Sequence, residues 1–441
     1  MRIPQDLVPA MPLQTRRLLL LRPVQLSSRL TIKKGKEHTL QFNHVFIPYG
    51  VYWSTPFVRW QGNFAQLHPM LFAADVAKRF LREREITPQA FDALFLGMTV
   101  PAEHCFYGAP WLAGLIEAPA LCGPTVNQAC ATSARVIGDC SYEVETGTER
   151  CILAVTCDRT SNGPHLYYPN PSGPGGTGTA EDWVMDNFNF DPYAGNAMIE
   201  TAENVAREAH ITWEEQNEVT LLRYQQYQEA LQDDAAFHRR YMVTPLEVKD
   251  PAGRKVVATV TDDEGMYAST SAGLSRLRPV KEGGTVSFGT QTHPADGNSG
   301  MVITSRERAQ ELSRNSGVVV RIVAFGQARA KKGFMAQATV PAARSALNAA
   351  GIGISDVKSI KTHNPFAVND IYLAREMGIA LDAFNQYGSS LIFGHPQGPT
   401  GMRLVIELIE ELVLRGGGYG LFTGCAAGDT AAALVVQVES L

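Results

Sequence analysis

A cysteine stands where an apolar run gives way to a helical pattern in residues 126–140, VNQACATSARVIGDC. Apolar side chains recur at helical spacing after Cys130, so we expect this residue at the end of a strand and the start of a helix. The free N–H groups and the positive dipole end there favour thiolate over thiol, and a thiolate is a nucleophile. The motif by itself fits a small structural cysteine equally well.

Three further segments place reactive side chains where apolar runs stop. KTHNPFAVND contains His363 and Asn364, LIFGHPQGPTG contains His395, and FTGCAAGDTAA contains Cys425. A lone histidine is more often structural, but two histidines and a second cysteine at predicted strand ends indicate an active site. This set of residue types suits nucleophilic catalysis assisted by proton transfer.

The elements that must position these residues alternate between strands and helices. Residues 131–146 have helical spacing closed by Gly147, and CILAVTC, residues 151–157, is typical of a strand buried on both faces. With the apolar run in residues 90–98, they predict a βαβ unit with parallel strands and hence an α/β fold.

The C-terminal part repeats this order. SSLIFGHP is an apolar run, residues 402–414 are amphipathic, and YGLFTGCAAGDTAAALVVQVES indicates two strands around a glycine-rich turn. We therefore predict two duplicated α/β halves. Helices are predicted over residues 198–209 and from 212 towards 231, inside an aromatic-rich insertion. The predicted division is an N-terminal extension (1–42), an N-terminal half (43–162 plus 280–306), a loop domain (163–279) and a C-terminal half (307–441).

Composition excludes several classes of function. The net charge of −5 and the pI near 6.1 give no basic surface for nucleic acid, and no apolar stretch is long enough for a membrane helix. Seven cysteines without a Cys-x-x-Cys pair favour a reducing compartment, and we expect a cytoplasmic protein that binds no metal. Residues 1–42 are basic, which fits a start codon placed upstream of the true one or a disordered tail better than a mitochondrial-type presequence.

These motifs, in this order, resemble the thiolase superfamily over residues 43–441. The resemblance is carried by VNQAC, MIETAENVA, SRLRPVKEGGTVSFGTQTHPADGNSG, GHPQGPTG and GCAAGDTA. It implies a thiolase fold of five layers, αβαβα, with the loop domain covering coenzyme A. Coenzyme A would be a substrate, and no tightly bound cofactor is expected.

The resemblance also implies a role for each reactive residue. Cys130 would attack an acyl thioester, and His395 would take its proton and then stabilise the enolate or thioester oxygen. Cys425 would act as acid or base at the α-carbon or the leaving thiolate. The backbone N–H groups of Cys130 and Ala427 would form an oxyanion hole, and Thr292 would contact the pantetheine arm.

The chain departs from the common pattern at two places. Many thiolases have Asn-Glu-Ala-Phe where this chain has residues 363–366, HNPF. His363 then takes the asparagine position, as in the sterol-carrier-type branch, and would help to build an oxyanion hole; Asn364 is the second candidate. Ala427 lies where the family has glycine. Arg223 and Arg239 are candidates for the phosphates of coenzyme A, although an ordinary solvated helix face is favoured.

The expected reaction is thiolytic cleavage of a 3-oxoacyl-CoA through a cysteine acyl-enzyme. Six aromatic residues in the insertion favour an aromatic or branched substrate, as in the benzoylsuccinyl-CoA thiolases, which this chain resembles in its departures; they are Tyr167, Tyr168, Trp183, Phe188, Phe190 and Tyr193.

Three alternatives remain. One is biosynthetic Claisen condensation. Another is a ketoacyl synthase, which Cys425 argues against. The last is a thiolase-like subunit needing a small acyl-CoA-binding or zinc-ribbon partner. A homodimer or tetramer is expected from the resemblance.

Overall fold

The computed structural model describes residues 40–148 and 151–440. Within these residues the strands are β1 (Leu40–Gln41), β2 (Phe46–Ile47), β3 (Tyr52–Ser54), β4 (Val58–Arg59), β5 (Ala93–Gly97), β6 (Thr125–Val126), β7 (Cys151–Arg159), β8 (His165–Tyr168), β9 (Thr179–Asp182), β10 (Leu246–Lys249), β11 (Val256–Val260), β12 (Ala295–Thr304), β13 (Val318–Arg329), β14 (Val357–His363), β15 (Gly418–Ala426) and β16 (Thr430–Ser440).

The α-helices of the same described residues range from single turns to five turns. They are α1 (Pro69–Glu83), α2 (Ala109–Leu115), α3 (Thr132–Thr146), α4 (Met185–Asn189), α5 (Met198–Glu208), α6 (Trp213–Ala230), α7 (Gln232–Ala235), α8 (Ser271–Leu274), α9 (Arg306–Leu312), α10 (Thr339–Ala350), α11 (Ala367–Met377), α12 (Ser390–Phe393) and α13 (Gly398–Leu414).

The main sheet has an internal symmetry. Its hydrogen-bonded order is β14-β15-β16-β13-β2-β12-β7-β5-β6. Outward from the centre, β13-β16-β15-β14 and β2-β12-β7-β5 each make two antiparallel contacts followed by one parallel contact. The predicted parallel pairing of the strand within residues 90–98 with the strand at residues 151–157 is confirmed by β5 and β7. The repeated order confirms the prediction of two duplicated α/β halves.

Helices pack on both faces of each half-sheet. α3 and α13 contact each other and strands of both halves, so they form a central layer. α1 and α2 cover the outer face of β5 and β7, while α10 covers β13 and β16. The result is the expected five-layered αβαβα arrangement, in which parallel strands are buried on both faces.

The central position of α13 explains why this helix is buried on all sides although its sequence pattern is amphipathic. Residues 398–412 are all buried, so the helix has no solvated face, although the pattern predicted an amphipathic helix. Its glutamates are instead paired inside the protein. Glu407 bonds Arg403 and Tyr241, and Glu410 bonds Tyr52 and Arg240. Buried charges of this kind need partners because they have lost water.

The insertion that includes residues 163–279 carries α4 to α8 and two small hairpins, β8-β9 and β10-β11. The helices predicted from residues 198 and 212 are confirmed as α5 and α6. A capping box starts α6, since Thr212 accepts from the Glu215 N–H and the Glu215 carboxylate accepts from the Thr212 N–H.

One boundary and one element type differ from the sequence predictions. Leu40–Gln41, assigned above to the N-terminal extension, pair with β13, and Phe42 is buried. The rest of the predicted extension, residues 1–39, lies outside the described residues. The apolar run SLIF forms the helical turn α12 rather than a strand, because a short buried run has no periodicity that separates the two.

None of the helices among residues 40–148 and 151–440 is long and apolar enough to cross a membrane.

A buried ion pair ties the insertion to the central helix. The Arg403 guanidinium on α13 donates to both carboxylate oxygens of Asp263, at 2.6 and 2.7 Å, and neither side chain is exposed. The same carboxylate accepts from the Phe57 N–H and the Tyr227 hydroxyl. Because every lone pair has a donor, the pair can persist away from water.

Replacement of Asp263 with alanine should destabilise the protein strongly, because the buried Arg403 guanidinium loses its two-bond partner and keeps only Glu407. We expect a loss of about 3–5 kcal/mol in the free energy of unfolding, measured by urea denaturation. Asp234→Ala is the matched control, since Asp234 lies in the same insertion and forms an exposed pair with Arg239. Equal urea midpoints for the two variants would contradict the anchoring role.

Candidate active site

Cys130 lies in a tight turn between β6 and α3. Ala129 adopts a left-handed φ of 45°, and its N–H donates to the Asn127 side chain. The Thr132 hydroxyl donates to the Ala129 carbonyl and accepts from the Gln128 N–H. These contacts hold the cysteine just before the helix, at the junction that the sequence predicted.

His395 lies at the equivalent place before α13. Gly394 before it has a φ of 91°, and Gln397 after it has a φ of 66°, so the backbone is sharply bent on both sides. The His395 N–H donates to the His293 carbonyl at 2.9 Å, which fixes the segment against the start of β12. His395 therefore follows a helical turn, whereas the sequence predicted a strand end.

His363 and Cys425 come from neighbouring parallel strands. His363 ends β14, and its register partner on β15 is Gly424, the residue before Cys425. Parallel strands present their carboxyl ends at one edge of the sheet, so both side chains reach the same region. The expectation that His363 stands at a strand end is confirmed, and Cys425 lies one residue before the end of β15.

The structure brings three of the predicted residues into direct proximity. One ligand-type atom from each of Cys130, His363 and His395 lies within 4.8 Å of the others. The two imidazole rings have centroids 4.0 Å apart and are tilted by 31°. The Cys130 thiol also donates to the Gln397 side-chain oxygen at 3.3 Å. This cluster, Cys130, His363 and His395, is called the Cys-His-His cluster below.

Both histidines of the cluster are held neutral. Burial lowers the pKa of His363 to about 3. Burial and the neighbouring His363 lower the pKa of His395 well below its ordinary value. Nδ1 of His395 is 2.6 Å from the Thr400 hydroxyl and Nδ1 of His363 is 2.8 Å from the Ser390 hydroxyl. Both Nε2 atoms are buried without a hydrogen-bond partner, which leaves them free for a bound molecule.

The expectation of a ready-made thiolate at Cys130 is wrong for the ligand-free protein. Burial raises the pKa of this thiol to about 11, and the nearby Asp158 acts in the same direction. The N–H groups of Ala427 and of Cys130 itself favour the thiolate but are outweighed. The resemblance described above assigned these two N–H groups to an oxyanion hole. The structure places both close to the Cys130 sulfur.

Cys425 is fully buried behind the cluster. Burial and the proximity of Cys130 raise the pKa of its thiol well above the ordinary value, opposed by a hydrogen bond from Asn369. The Asn369 amide donates to the Cys425 sulfur at 3.2 Å. A donor at this distance stabilises the thiolate form, so it lowers the cost of proton release from a buried thiol.

Asn364, the second candidate for the oxyanion hole, is held in the protein interior. The Asn364 amide donates to Asp370 and Ser389, and its oxygen accepts from Ser390 and Leu391. All its polar atoms are thus engaged in the interior, which favours His363 of the two candidates.

Of the residues predicted to contact coenzyme A, one lies at the cavity and two do not. Thr292 lines the cavity, and its hydroxyl donates to the Ser390 carbonyl. Arg223 is fully buried and bonds Asp370 at 2.8 Å, so it neither meets a phosphate nor lies on a solvated face. Arg239 is partly exposed and pairs with Asp234.

A cavity of about 660 Å³ opens above the cluster. Cys130, His395, Gln397 and Ala427 lie on its wall. Its apolar wall contains aromatic and methionine side chains: Trp183, Phe188, Phe190, Phe288, Phe366, Met185, Met198 and Met335. Three of the six predicted aromatic residues, Trp183, Phe188 and Phe190, are among them, while the exposed Tyr167, Tyr168 and Tyr193 do not line the cavity.

Four side chains around the site were not singled out from the sequence. Gln397 and Thr400 lie inside the quoted GHPQGPTG motif, and Asn369 lies inside KTHNPFAVND. The buried Asp158 accepts from the Gly398 N–H at 2.7 Å and from Thr99, and burial raises its pKa to about 7. The glycines and prolines of GHPQGPTG favour a bend and were a usable signal for Gln397 and Thr400. Nothing in the sequence marks Asp158.

Two family descriptions match the chain, "Thiolase, N-terminal domain" over residues 53–307 and "Thiolase, C-terminal domain" over residues 316–438. The chain belongs to the thiolase family. It is therefore an acyltransferase by family. The Escherichia coli (strain K12) acetyl-CoA acetyltransferase is 27% identical over 383 residues, which cover 85% of this chain and 95% of that protein.

Solved structures give the same fold. The Bacillus anthracis acetyl-CoA acetyltransferase superposes with a TM-score of 0.82 at 24% identity, covering 90% of this thiolase chain and 99% of the other. Human mitochondrial 3-ketoacyl-CoA thiolase in complex with CoA superposes with a TM-score of 0.81 at 25% identity, covering 91% and 100%. These likenesses confirm the predicted thiolase fold.

The raised pKa of Cys130 makes a direct prediction about its alkylation. Because the thiolate reacts, the rate with iodoacetamide should rise about tenfold per pH unit from pH 7 to pH 10, while free cysteine levels off above about pH 8.5. Peptide mass spectrometry with free cysteine as the reference measures both rates. A Cys130 rate that levels off below pH 9 would show that the thiol is not held protonated.

Proposed function

We propose that this protein catalyses CoA-dependent thiolytic cleavage of a 3-oxoacyl-CoA, with Cys130 as the nucleophile. The observation that supports this most directly is that Cys130 and His395 of the Cys-His-His cluster lie on the wall of a cavity, with His363 beside His395 and the buried Cys425 close to Cys130. A nucleophile, two neutral imidazoles and a second thiol within one buried site match the needs of a two-step acyl transfer.

In the first step, the Cys130 sulfur attacks the 3-oxo carbon while its proton passes to the unpartnered Nε2 of His395. The carbonyl oxygen gains negative charge, and the N–H groups of Cys130 and Ala427 donate to it. The bond between carbons 2 and 3 then breaks, which leaves the acyl group on sulfur and an enolate on the departing acyl-CoA. Donors already in position stabilise such charges without reorganisation.

Cys425 completes this step by giving its proton to carbon 2 of the enolate, while the Nε2–H that His395 gained from Cys130 donates to the enolate oxygen. The Asn369 amide stabilises the resulting Cys425 thiolate. Free CoA then loses its thiol proton to Cys425, and its sulfur attacks the acyl-enzyme. The bond to the Cys130 sulfur breaks, His395 returns its proton to that sulfur, and the shortened acyl-CoA leaves. The reverse sequence is a Claisen condensation through the same residues, and metabolite levels set the direction.

Intact-mass spectrometry after brief exposure to a panel of acyl-CoA and 3-oxoacyl-CoA thioesters tests the nucleophile. The native protein should gain the mass of one acyl group, and Cys130→Ser should gain none under the same conditions. Cys425→Ala is the matched control: it should still accept an acyl group from a simple acyl-CoA but lose about 10²–10⁴-fold in cleavage of the carbon–carbon bond. An unchanged adduct in Cys130→Ser would refute the mechanism.

The wall of the cavity supports an aromatic or branched acyl group. Trp183, Phe188 and Phe366 offer flat apolar surface, and the Trp183 indole N–H is already satisfied by the Thr99 carbonyl. The described lining residues include no lysine or arginine, and Asp191 is their one carboxylate. We therefore place an uncharged aryl group, as in benzoylacetyl-CoA, ahead of benzoylsuccinyl-CoA, which adds a carboxylate.

Substrate preference provides the next prediction. The catalytic efficiency kcat/KM should be higher for benzoylacetyl-CoA than for acetoacetyl-CoA or a straight-chain 3-oxoacyl-CoA. Phe188→Ala should lower it about 10- to 100-fold for the aromatic substrate, the range expected from a lost buried aromatic contact, and leave acetoacetyl-CoA nearly unchanged. Faster cleavage of a straight-chain substrate by the native protein would overturn the assignment of an aromatic substrate.

A further inference from the structure

We propose that the Cys-His-His cluster is also a zinc site, in which Zn²⁺ binds the sulfur of Cys130 and one ring nitrogen each of His363 and His395. Binding would reversibly block the nucleophile. The binding itself depends on the geometry of the cluster, and only its inhibitory consequence rests on the function proposed above.

The ligand types and separations fit this ion. Zinc takes cysteine sulfur at about 2.3 Å and histidine nitrogen at about 2.0–2.1 Å in tetrahedral geometry, so its ligand atoms lie roughly 3.3–3.6 Å apart. In this structure the three atoms lie within 4.8 Å of one another. A closure of roughly one ångström by side-chain rotation would meet the ideal distances. Soft sulfur with imidazole nitrogen selects zinc over magnesium or calcium.

The surroundings of the histidines also fit. Nδ1 of His395 contacts the Thr400 hydroxyl, and Nδ1 of His363 contacts the Ser390 hydroxyl, which can in turn donate to Asn364. With the hydroxyls accepting from Nδ1–H, each Nε2 carries a lone pair. Both Nε2 atoms are buried and have no hydrogen-bond partner. Metal-binding histidines typically donate their other ring N–H in this way, which fixes ring orientation.

Cys130 is partly exposed and lines the cavity, so an ion can reach the cluster from that side. The fourth coordination position would face the cavity and take a water molecule or the thiol of CoA. The step is an exchange without oxidation: a Zn–S bond forms, the S–H bond breaks, and the proton leaves to solvent. The sulfur lone pair is then engaged by the metal, so it can neither attack a thioester nor react with an alkylating agent.

The test uses the full chain after treatment with EDTA and removal of the chelator. Zn²⁺ is titrated in competition with a chromophoric chelator, and alkylation of Cys130 by iodoacetamide is followed by peptide mass spectrometry. We expect one equivalent of Zn²⁺ to bind and to slow alkylation at least tenfold, with recovery on adding EDTA. Mg²⁺ should do neither.

Variants locate the site. Cys130→Ser, His363→Asn and His395→Asn should each weaken zinc binding at least 100-fold, while Cys122→Ser, which removes an exposed thiol, should bind zinc as the native protein does. Thermal melting without metal establishes which variants are folded, and the comparison uses those. Native-like zinc affinity in folded Cys130→Ser, or alkylation unaffected by one equivalent of zinc, would overturn the proposal.

The two proposals fail separately. If zinc binds and protects Cys130 but no thioester acylates it, the zinc site stands and the proposed reaction does not. If thioesters acylate Cys130 but one equivalent of zinc neither binds nor protects it, the reaction stands and the zinc site is refuted.

Discussion

The close packing of α3 against α13 is the contact on which the site depends. Gly401 allows it, since a Cβ there would lie only 3.0 Å from the Ser133 Cβ. The Ser133 hydroxyl donates to the Gly398 carbonyl, and Asp158 accepts from the Gly398 N–H. Both helices therefore start at the same point. Cys130, the proposed nucleophile, precedes one helix and His395 precedes the other, so their proximity follows from this single contact.

A second constraint is the burial of the reactive side chains at these helix starts. Burial moves every reactive group there toward its neutral form, both thiols upward in pKa and both histidines downward. In a low-dielectric interior, isolated charges are costly. The resting site thus holds thiol and imidazole, and in the proposed reaction charge would develop only when a substrate supplies the carbonyl oxygen on which it can be stabilised. The same neutral imidazoles are the form that a metal ion would bind.

Buried charges are tolerated where they are paired, and one such pair joins the insertion to β14. Arg223 on α6 bonds Asp370 on α11, and Asp370 also accepts from Thr362 and Asn364. Asn369, beside Asp370, reaches Cys425. The insertion is therefore connected through hydrogen bonds to the strand that ends in His363, and its position is coupled to the geometry of the site.

Much of the fold could be predicted from the sequence, because local pattern reports local structure. The helix after Cys130, the strand over residues 151–159 and the repeated strand–helix order of the two halves are examples. The run SLIF is too short for its periodicity to separate a strand from a helical turn. The pattern of α13 could not show that its polar face is also buried.

The sequence by itself determined the candidate reactive side chains and their order along the chain, because Cys130, His363, His395 and Cys425 stand in recognisable motifs. Only the tertiary structure decided their protonation states, the engagement of Asn364 and Arg223 in the interior, and the parts played by Gln397, Asn369 and Asp158. The reason is physical: a pKa and a hydrogen-bond partner depend on neighbours that are distant in sequence.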